Sequence, residues 1–222
     1  MRIVYHFPLS PFSRKVRLAL KEKDLPFELV TEPFWERRPE FIALNPAGEV
    51  QVLVEEDGSV YSEALSICEY LEEVYPQRNL LGAEIRQRAE VRRIVDWFDH
   101  HFYMEVSHHI LEERLYKFMR HGGEPQTRNL HSAAGKLHGH LEYLTFLLKR
   151  RPWLAGDMFS LADITAASHL SVLDYFADVP WAKYPAVKEW YAVLKSRPSF
   201  RPLLADRIPG FKVPAHYADL DF

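Results

Sequence analysis

A small α/β domain followed by an all-helical domain is the fold the sequence predicts, and three observations carry the prediction. Alternating strand and helix patterns are confined to residues 1–76. A short linker, residues 77–83, follows them. Beyond it the strand signals vanish and long patterns of 3.6-residue period take over, through residue 205, with a tail at 206–222.

Each element of the first domain has a local reason. Arg2 to His6 reads as a buried first strand. Ser10-Pro11 pairs an N-cap with a Pro at the first helical position, so a helix starts there and runs to about Asp24. Phe27 to Val30 is a second strand, making a βαβ unit that should cross right-handed. Phe41 to Leu44 is a short helix. Asn45-Pro46-Ala47-Gly48 is turn chemistry, with Pro fixing φ and Gly free to take φ > 0. Val50, Val52 and Val54 alternate as a strand should, and Glu56-Asp57-Gly58 turns the chain back toward Val60 and Tyr61. Ser62 stands where an N-cap is expected, and Leu65, Cys68 and Leu71 mark the apolar face of a helix that Pro76 stops. The order β-α-β-α-β-β-α is that of a thioredoxin-like domain.

The second half is helical throughout. Glu84 to Met119 is one long pattern or two abutting ones. A further helix from near Pro125 to Arg150 carries the stripe Leu137, Leu141, Leu144 and Leu148. Ser160-Leu161-Ala162-Asp163 is a capping box, and the helix behind it is apolar nearly all round, hence buried. Tyr184-Pro185 opens another helix, and Ser199 to Ala205 forms a last short one.

The totals exclude several function classes. The chain has 222 residues, a net charge of −3 and one cysteine. That charge argues against binding nucleic acid or anionic membrane. One cysteine forbids an internal disulfide and fits a reducing compartment, and no signal peptide or membrane-length apolar run is present, so a cytoplasmic location is expected. Cys68 falls on an apolar helix face, as a small core residue would. Eleven histidines include the pairs His100-His101 and His108-His109, but no metal-ligand spacing, so no metal site is expected.

The stretch NPAGEVQVL, then EALSICEYLEEVYP, resembles the glutathione-binding half of the glutathione transferase family, and GDMFSLADITAA resembles the core-helix start of its second domain. The likeness covers about residues 1–205 and implies the two-domain transferase fold. It also implies the pocket positions Ser10, Val50, Gln51, Glu63 and Ala64. In such a pocket the Ser10 hydroxyl donates to the glutathione sulfur and favours thiolate. Read from the residues alone, Ser10 simply caps its helix. Two positions depart from the family pattern. Gln51 stands where the family has a cis-proline; a non-proline cis bond costs about 2.5–4 kcal/mol, so a trans bond is expected, turning Val50 elsewhere. Ala64 lacks the hydroxyl that helps hold the γ-glutamyl carboxylate, a loss of about 1.5–3 kcal/mol. Glu63 keeps the acid for the γ-glutamyl ammonium. Weak glutathione binding and no catalytic residue are therefore expected, with no cofactor. The alternative is a transferase that conjugates glutathione to apolar electrophiles, with Ser10 activating the thiol.

The segments SPFSRKVRLALKEK, FWERRPEF, SRPSFRPLLADRIPG and HYADLDF resemble a cell-division branch of that family. That resemblance implies a homodimer at the division site that binds filaments of the tubulin-like GTPase FtsZ and promotes constriction. Candidate partner contacts are Arg14 and Arg17 on a basic helix face that also holds Lys15 and Lys21, and Trp35 with Arg38 in a polar loop. Solvation of that basic face, and self-packing of Trp35 or its use at a dimer interface, are the plainer readings. The tail residues Tyr217, Asp219, Leu220, Asp221 and Phe222 form either a docking segment for a division-complex protein or a strap over their own domain.

Overall fold

A computed structural model describes residues 1–220. Asp221 and Phe222, named above as partner contacts, lie outside the described residues. The contacts group the chain into two compact units: Met1–Leu80 with Arg197–Lys212, and Leu81–Ser196 with the chain from Val213 onward.

The first unit holds a four-stranded sheet in the order β2-β1-β3-β4. Its strands are β1 (Arg2–His6), β2 (Phe27–Thr31), β3 (Val52–Val54) and β4 (Val60–Ser62). β1 and β2 run parallel through helix α1 (Pro11–Glu22), as the βαβ reading expects. β3 is antiparallel to β1 and to β4. α2 (Pro39–Leu44) precedes β3, and α3 (Ala64–Val74) follows β4.

β3 is shorter than its valine alternation suggested: Val50 lies outside it, and Val52 and Leu53 are both fully buried. A central strand covered on both faces has no solvent side to alternate with. The hairpin turn is as expected, with Gly58 at φ +86 and the Asp57 carboxylate accepting from Ser59 N–H at 2.9 Å. Gly48 also takes positive φ, and a Cβ there would meet Arg37 Nη1 at 2.8 Å. The start of α3 differs from expectation. Glu63, at φ +67, is the N-cap, and Ser62 ends β4 instead. Ser62 is taken by the sheet, pairing with Val52.

A segment that the sequence assigned to the helical domain and tail groups with this unit. Arg197–Lys212, including α10 (Arg201–Leu204), is fastened to α1 by two ion clusters. Asp206 meets Arg14 at 3.2 Å and Arg17 at 2.9 Å. Arg197 grips Glu22 with two bonds of 2.7 Å.

The second unit is helical. α4 (Ile85–Asp96) continues through a π-helical stretch (Trp97–Ser107), α5 (His108–Leu111), a second π stretch (Glu112–Tyr116) and α6 (Lys117–Met119). The residues joining these pieces are all right-handed helical, so the path is unbroken. α7 (Thr127–Leu148), α8 (Leu161–Tyr175), α9 (Pro185–Lys195) and α11 (Ala215–Ala218) complete it.

The capping box stands as read. Asp163 accepts from Ser160 N–H at 3.0 Å, and Ser160 and Asp163 cap reciprocally. The same carboxylate accepts from Leu154 N–H at 2.9 Å and Trp190 Nε1–H at 3.0 Å, which explains how an acid survives complete burial. Every residue of α8 is buried, as its apolar circumference predicts. Among the described residues no helix is long and apolar enough to cross a membrane.

Candidate functional site: the cleft at the start of α1 and α3

The five pocket positions all belong to the first unit, three of them at the start of a helix. Ser10 is the N-cap of α1. Its hydroxyl oxygen accepts from Ser13 N–H at 3.2 Å, and it is 4% exposed. Accepting that bond leaves the hydroxyl proton available to another acceptor. The cap and the thiol-activating roles are thus geometrically compatible.

The Val50–Gln51 bond is cis, which corrects the trans expectation. Redirection of Val50 by a trans bond therefore drops out of the case for a weakened pocket. What the sequence could not display is where the Gln51 side chain goes. It is buried, and its hydrogen-bond partners fix the orientation of its amide. The oxygen accepts from Ala64 N–H at 2.9 Å and the nitrogen donates to Val50 C=O at 2.7 Å. Ala64 N–H belongs to the first turn of α3, one of the donors a helix start offers to an anion. Gln51 therefore occupies two of the backbone groups with which such a pocket would hold a peptide ligand. Ala64 is buried and adds no hydroxyl. Glu63 is exposed, with its carboxylate open to a cation.

The proposed partner contacts fall in separate places. Arg14, Lys15 and Arg17 do not form a solvated face; all three are buried. Asp206 explains the two arginines, because a buried guanidinium needs a carboxylate and hydrogen bonds to be tolerated. Arg14 Nε also donates to Pro8 C=O at 2.8 Å. Of the basic group only Lys21 is exposed. These cations also depress His6, whose pKa falls to about 4, first through burial and then through Arg17.

Trp35 is half-buried. Its ring stands edge-on to Phe7 at 5.3 Å and to Phe34 at 5.2 Å. Arg38 pairs with the fully buried Glu32, Nε donating at 3.1 Å, and keeps 42% of its side chain exposed. Self-packing of Trp35 and presentation of a partly open Trp–Arg loop are both realised.

Residues 213–220 of the tail lie over the second unit as a strap. Tyr217 is fully buried, its ring edge-on to Tyr175 at 5.3 Å. His216 Nε2 lies 2.9 Å from Asp174 Oδ1, and Lys195 Nζ donates to the His216 carbonyl at 2.9 Å. Asp219 is exposed and Leu220 half-buried. The short helix α11 was not legible in the sequence, because four residues are too few to display a period.

The histidines find partners other than metal. Trp97 Nε1 donates to His140 Nδ1 at 3.1 Å, which places the ring proton on Nε2, facing Glu105 at 3.0 Å. Among the described residues no group of three or more His, Cys, Asp or Glu could hold a metal ion. Cys68 is buried in the first unit.

This fold is that of glutathione S-transferases. The N-terminal domain model of that family matches residues 4–79 and its C-terminal domain model residues 109–198. The chain belongs to the glutathione S-transferase family. Among its relatives, FtsZ-localized protein A of Caulobacter vibrioides is 49% identical, over 100% of this chain and 98% of that protein. Glutathione S-transferase 2 of Saccharomyces cerevisiae is 30% identical over 92% and 90%. Among solved structures, a glutathione S-transferase from Rhodospirillum rubrum F11 superposes with a TM-score of 0.98 at 54% identity, covering 100% of both chains. FzlA from C. crescentus superposes with a TM-score of 0.97 at 49% identity, covering 100% and 99%.

Proposed function

We propose that this chain is a non-catalytic transferase-like protein that associates with FtsZ filaments at the division site and promotes constriction. The observation that carries the reading is its full-length likeness, at 49% identity, to a relative named for its localisation with FtsZ. The cleft supports the non-catalytic part. Gln51 bonds Ala64 N–H and Val50 C=O itself, so a glutathione backbone would have to displace it. The protein works in the cytoplasm as a homodimer, which presents two copies of each contact and gains avidity on a repeating filament. Trp35 and Arg38 supply one contact, and the tail, through Asp219, Leu220, Asp221 and Phe222, reaches a second division protein. Arg14 and Arg17 serve that surface from beneath, holding the α1 frame through Asp206.

A second reading has two observations in its favour: Ser10 retains a hydroxyl proton at the helix start, and Glu63 is exposed. On that reading the chain conjugates glutathione to apolar electrophiles. One pair of assays separates the two. The protein is pelleted with FtsZ and GTP, and separately mixed with glutathione and a chromogenic electrophile. Co-pelleting that Trp35→Ala removes, with no turnover above background, is the expected result. Turnover that Ser10→Ala abolishes, with no pelleting, replaces the proposal with the enzyme.

A further inference from the structure

The first unit carries a groove that the glutathione cleft does not use. β2 pairs with β1 on one side, and among the described residues no strand pairs with its other edge. Alongside β2 lies a cavity of about 300 Å³. Its walls are Phe27 and Leu29 from β2 and Pro202 and Leu203 from the α10 segment. Arg17 and Lys21 of α1 also line it, and no carboxylate does. Alternation along β2 explains the composition: Phe27 and Leu29 share one face, and Glu28 points to the other.

Three properties of this groove converge on one kind of ligand. Leu29 is 41% exposed, although it is a large apolar side chain on a strand edge, where natural proteins usually place charge or cover. The volume is at the low end for a small-molecule site, and suits an inserted side chain better than a whole cofactor. The charge at the rim is positive: Arg17 is matched by Asp206 behind it, whereas Lys21 is exposed, its ammonium 5.3 Å from the centre of the Phe27 ring.

We propose that the outer edge of β2 is a docking site for an extended acidic–apolar segment of a partner protein, which adds to the sheet as a further strand. Its backbone pairs with the open edge of β2, an apolar side chain enters between Leu29 and Leu203, and a flanking carboxylate faces Lys21. Main-chain pairing supplies much of the affinity. The pocket and Lys21 supply the selection for sequence. The proposal goes beyond the association with FtsZ and does not depend on it.

The probe is a fluorescein-labelled peptide, Gly-Asp-Leu-Asp-Phe-Asp-Gly, titrated with the full chain and followed by anisotropy. Saturable binding on the order of tens of micromolar is expected. Lys21→Glu should weaken it about tenfold through charge reversal at the rim. Leu29→Glu should abolish it, and a peptide with Lys in place of each Asp should not bind. Lys21 and Leu29 are both exposed, so melting curves should not move; if Leu29→Glu does unfold the protein, the Lys21 result decides alone. Absence of saturable binding overturns the proposal, as does binding that Lys21→Glu leaves unchanged. So does a third outcome, in which Leu29→Glu splits a homodimer in sedimentation while no peptide binds, because the edge then belongs to a second copy of the chain.

Discussion

The carboxylate of Asp206 meets the guanidinium of Arg17 side by side, Oδ2 to Nη1 at 2.9 Å and Oδ1 to Nη2 at 3.1 Å. The two residues are 189 positions apart, and their pairing ties a late segment of the chain to the first helix. Arg14 shares the same Oδ2 at 3.2 Å. One carboxylate thus serves two buried cations.

Asp206→Ala should therefore be far worse than an ordinary surface change. Breaking a buried pair from one side typically costs about 3–5 kcal/mol, because the charge left behind is uncompensated. Urea unfolding should show the loss. The triple variant Arg14→Met, Arg17→Met, Asp206→Leu should recover most of it, since an apolar replacement of all three residues removes their desolvation cost as well. A small effect of Asp206→Ala would mean that the Arg197–Lys212 segment does not hold α1 through this carboxylate.

His6 sits against the same cluster and gives a pH dependence. Its folded pKa is lowered from 6.5 to about 4, by burial first and then by Arg17 and Arg14, with Asp206 opposing. The unfolded chain therefore binds a proton at a higher pH than the folded one, and stability falls as pH falls. Stability is fully present above about pH 6.5 and is lost progressively as pH falls, the loss reaching about 3 kcal/mol by about pH 4. Unfolding free energies measured at several pH values across that window should slope for the native chain and flatten for His6→Gln. Equal slopes in both would remove His6 as the cause.

Much of this architecture was legible because local chemistry agreed with tertiary context. Ser10-Pro11, Asp57-Gly58 and Ser160 with Asp163 each specify their own turn or cap without help from distant residues. The failures occurred where a distant partner decides. Arg14 and Arg17 carry no local sign that Asp206 will cover them, so an i,i+3 basic pair read as a surface. Ser62 had the right residue type for a cap, but β4 claimed it through pairing with Val52. In the cleft, the residue types at Gln51 and Ala64 identified the departures from the family pattern. They did not reveal that Gln51 would bond to both neighbours itself, because that depends on a side-chain conformation.

The strap at the end of the chain yields a prediction on local stability. Tyr217 is fully buried against Tyr175, and its neighbour His216 is held by Asp174 and Lys195. Replacing a buried aromatic ring by Ala usually costs about 3–5 kcal/mol where the site cannot collapse. Tyr217→Ala should free residues 213–220 before it unfolds the rest, since Tyr217 is the one buried side chain among them. Hydrogen exchange should then rise at Ala215–Ala218 while α8 stays protected. Unchanged protection of α11 would show that His216 and the Lys195 bond suffice.

Gln51→Ala tests the cleft directly. The substitution removes the amide that bonds Ala64 N–H and Val50 C=O, and returns both backbone groups to the pocket. Glutathione needs such groups for its own peptide bonds and carboxylate, and each recovered bond to a charged group is worth about 1.5–3 kcal/mol. Calorimetric titration should therefore show glutathione binding at least about tenfold tighter in the variant than in the native chain. Part of that gain is offset by the space the side chain leaves behind, so melting temperature should fall slightly as affinity rises. Native glutathione binding already in the micromolar range, unchanged by Gln51→Ala, would mean that the side chain moves aside at little cost. The case for a closed pocket would then fail at the residue on which it was built.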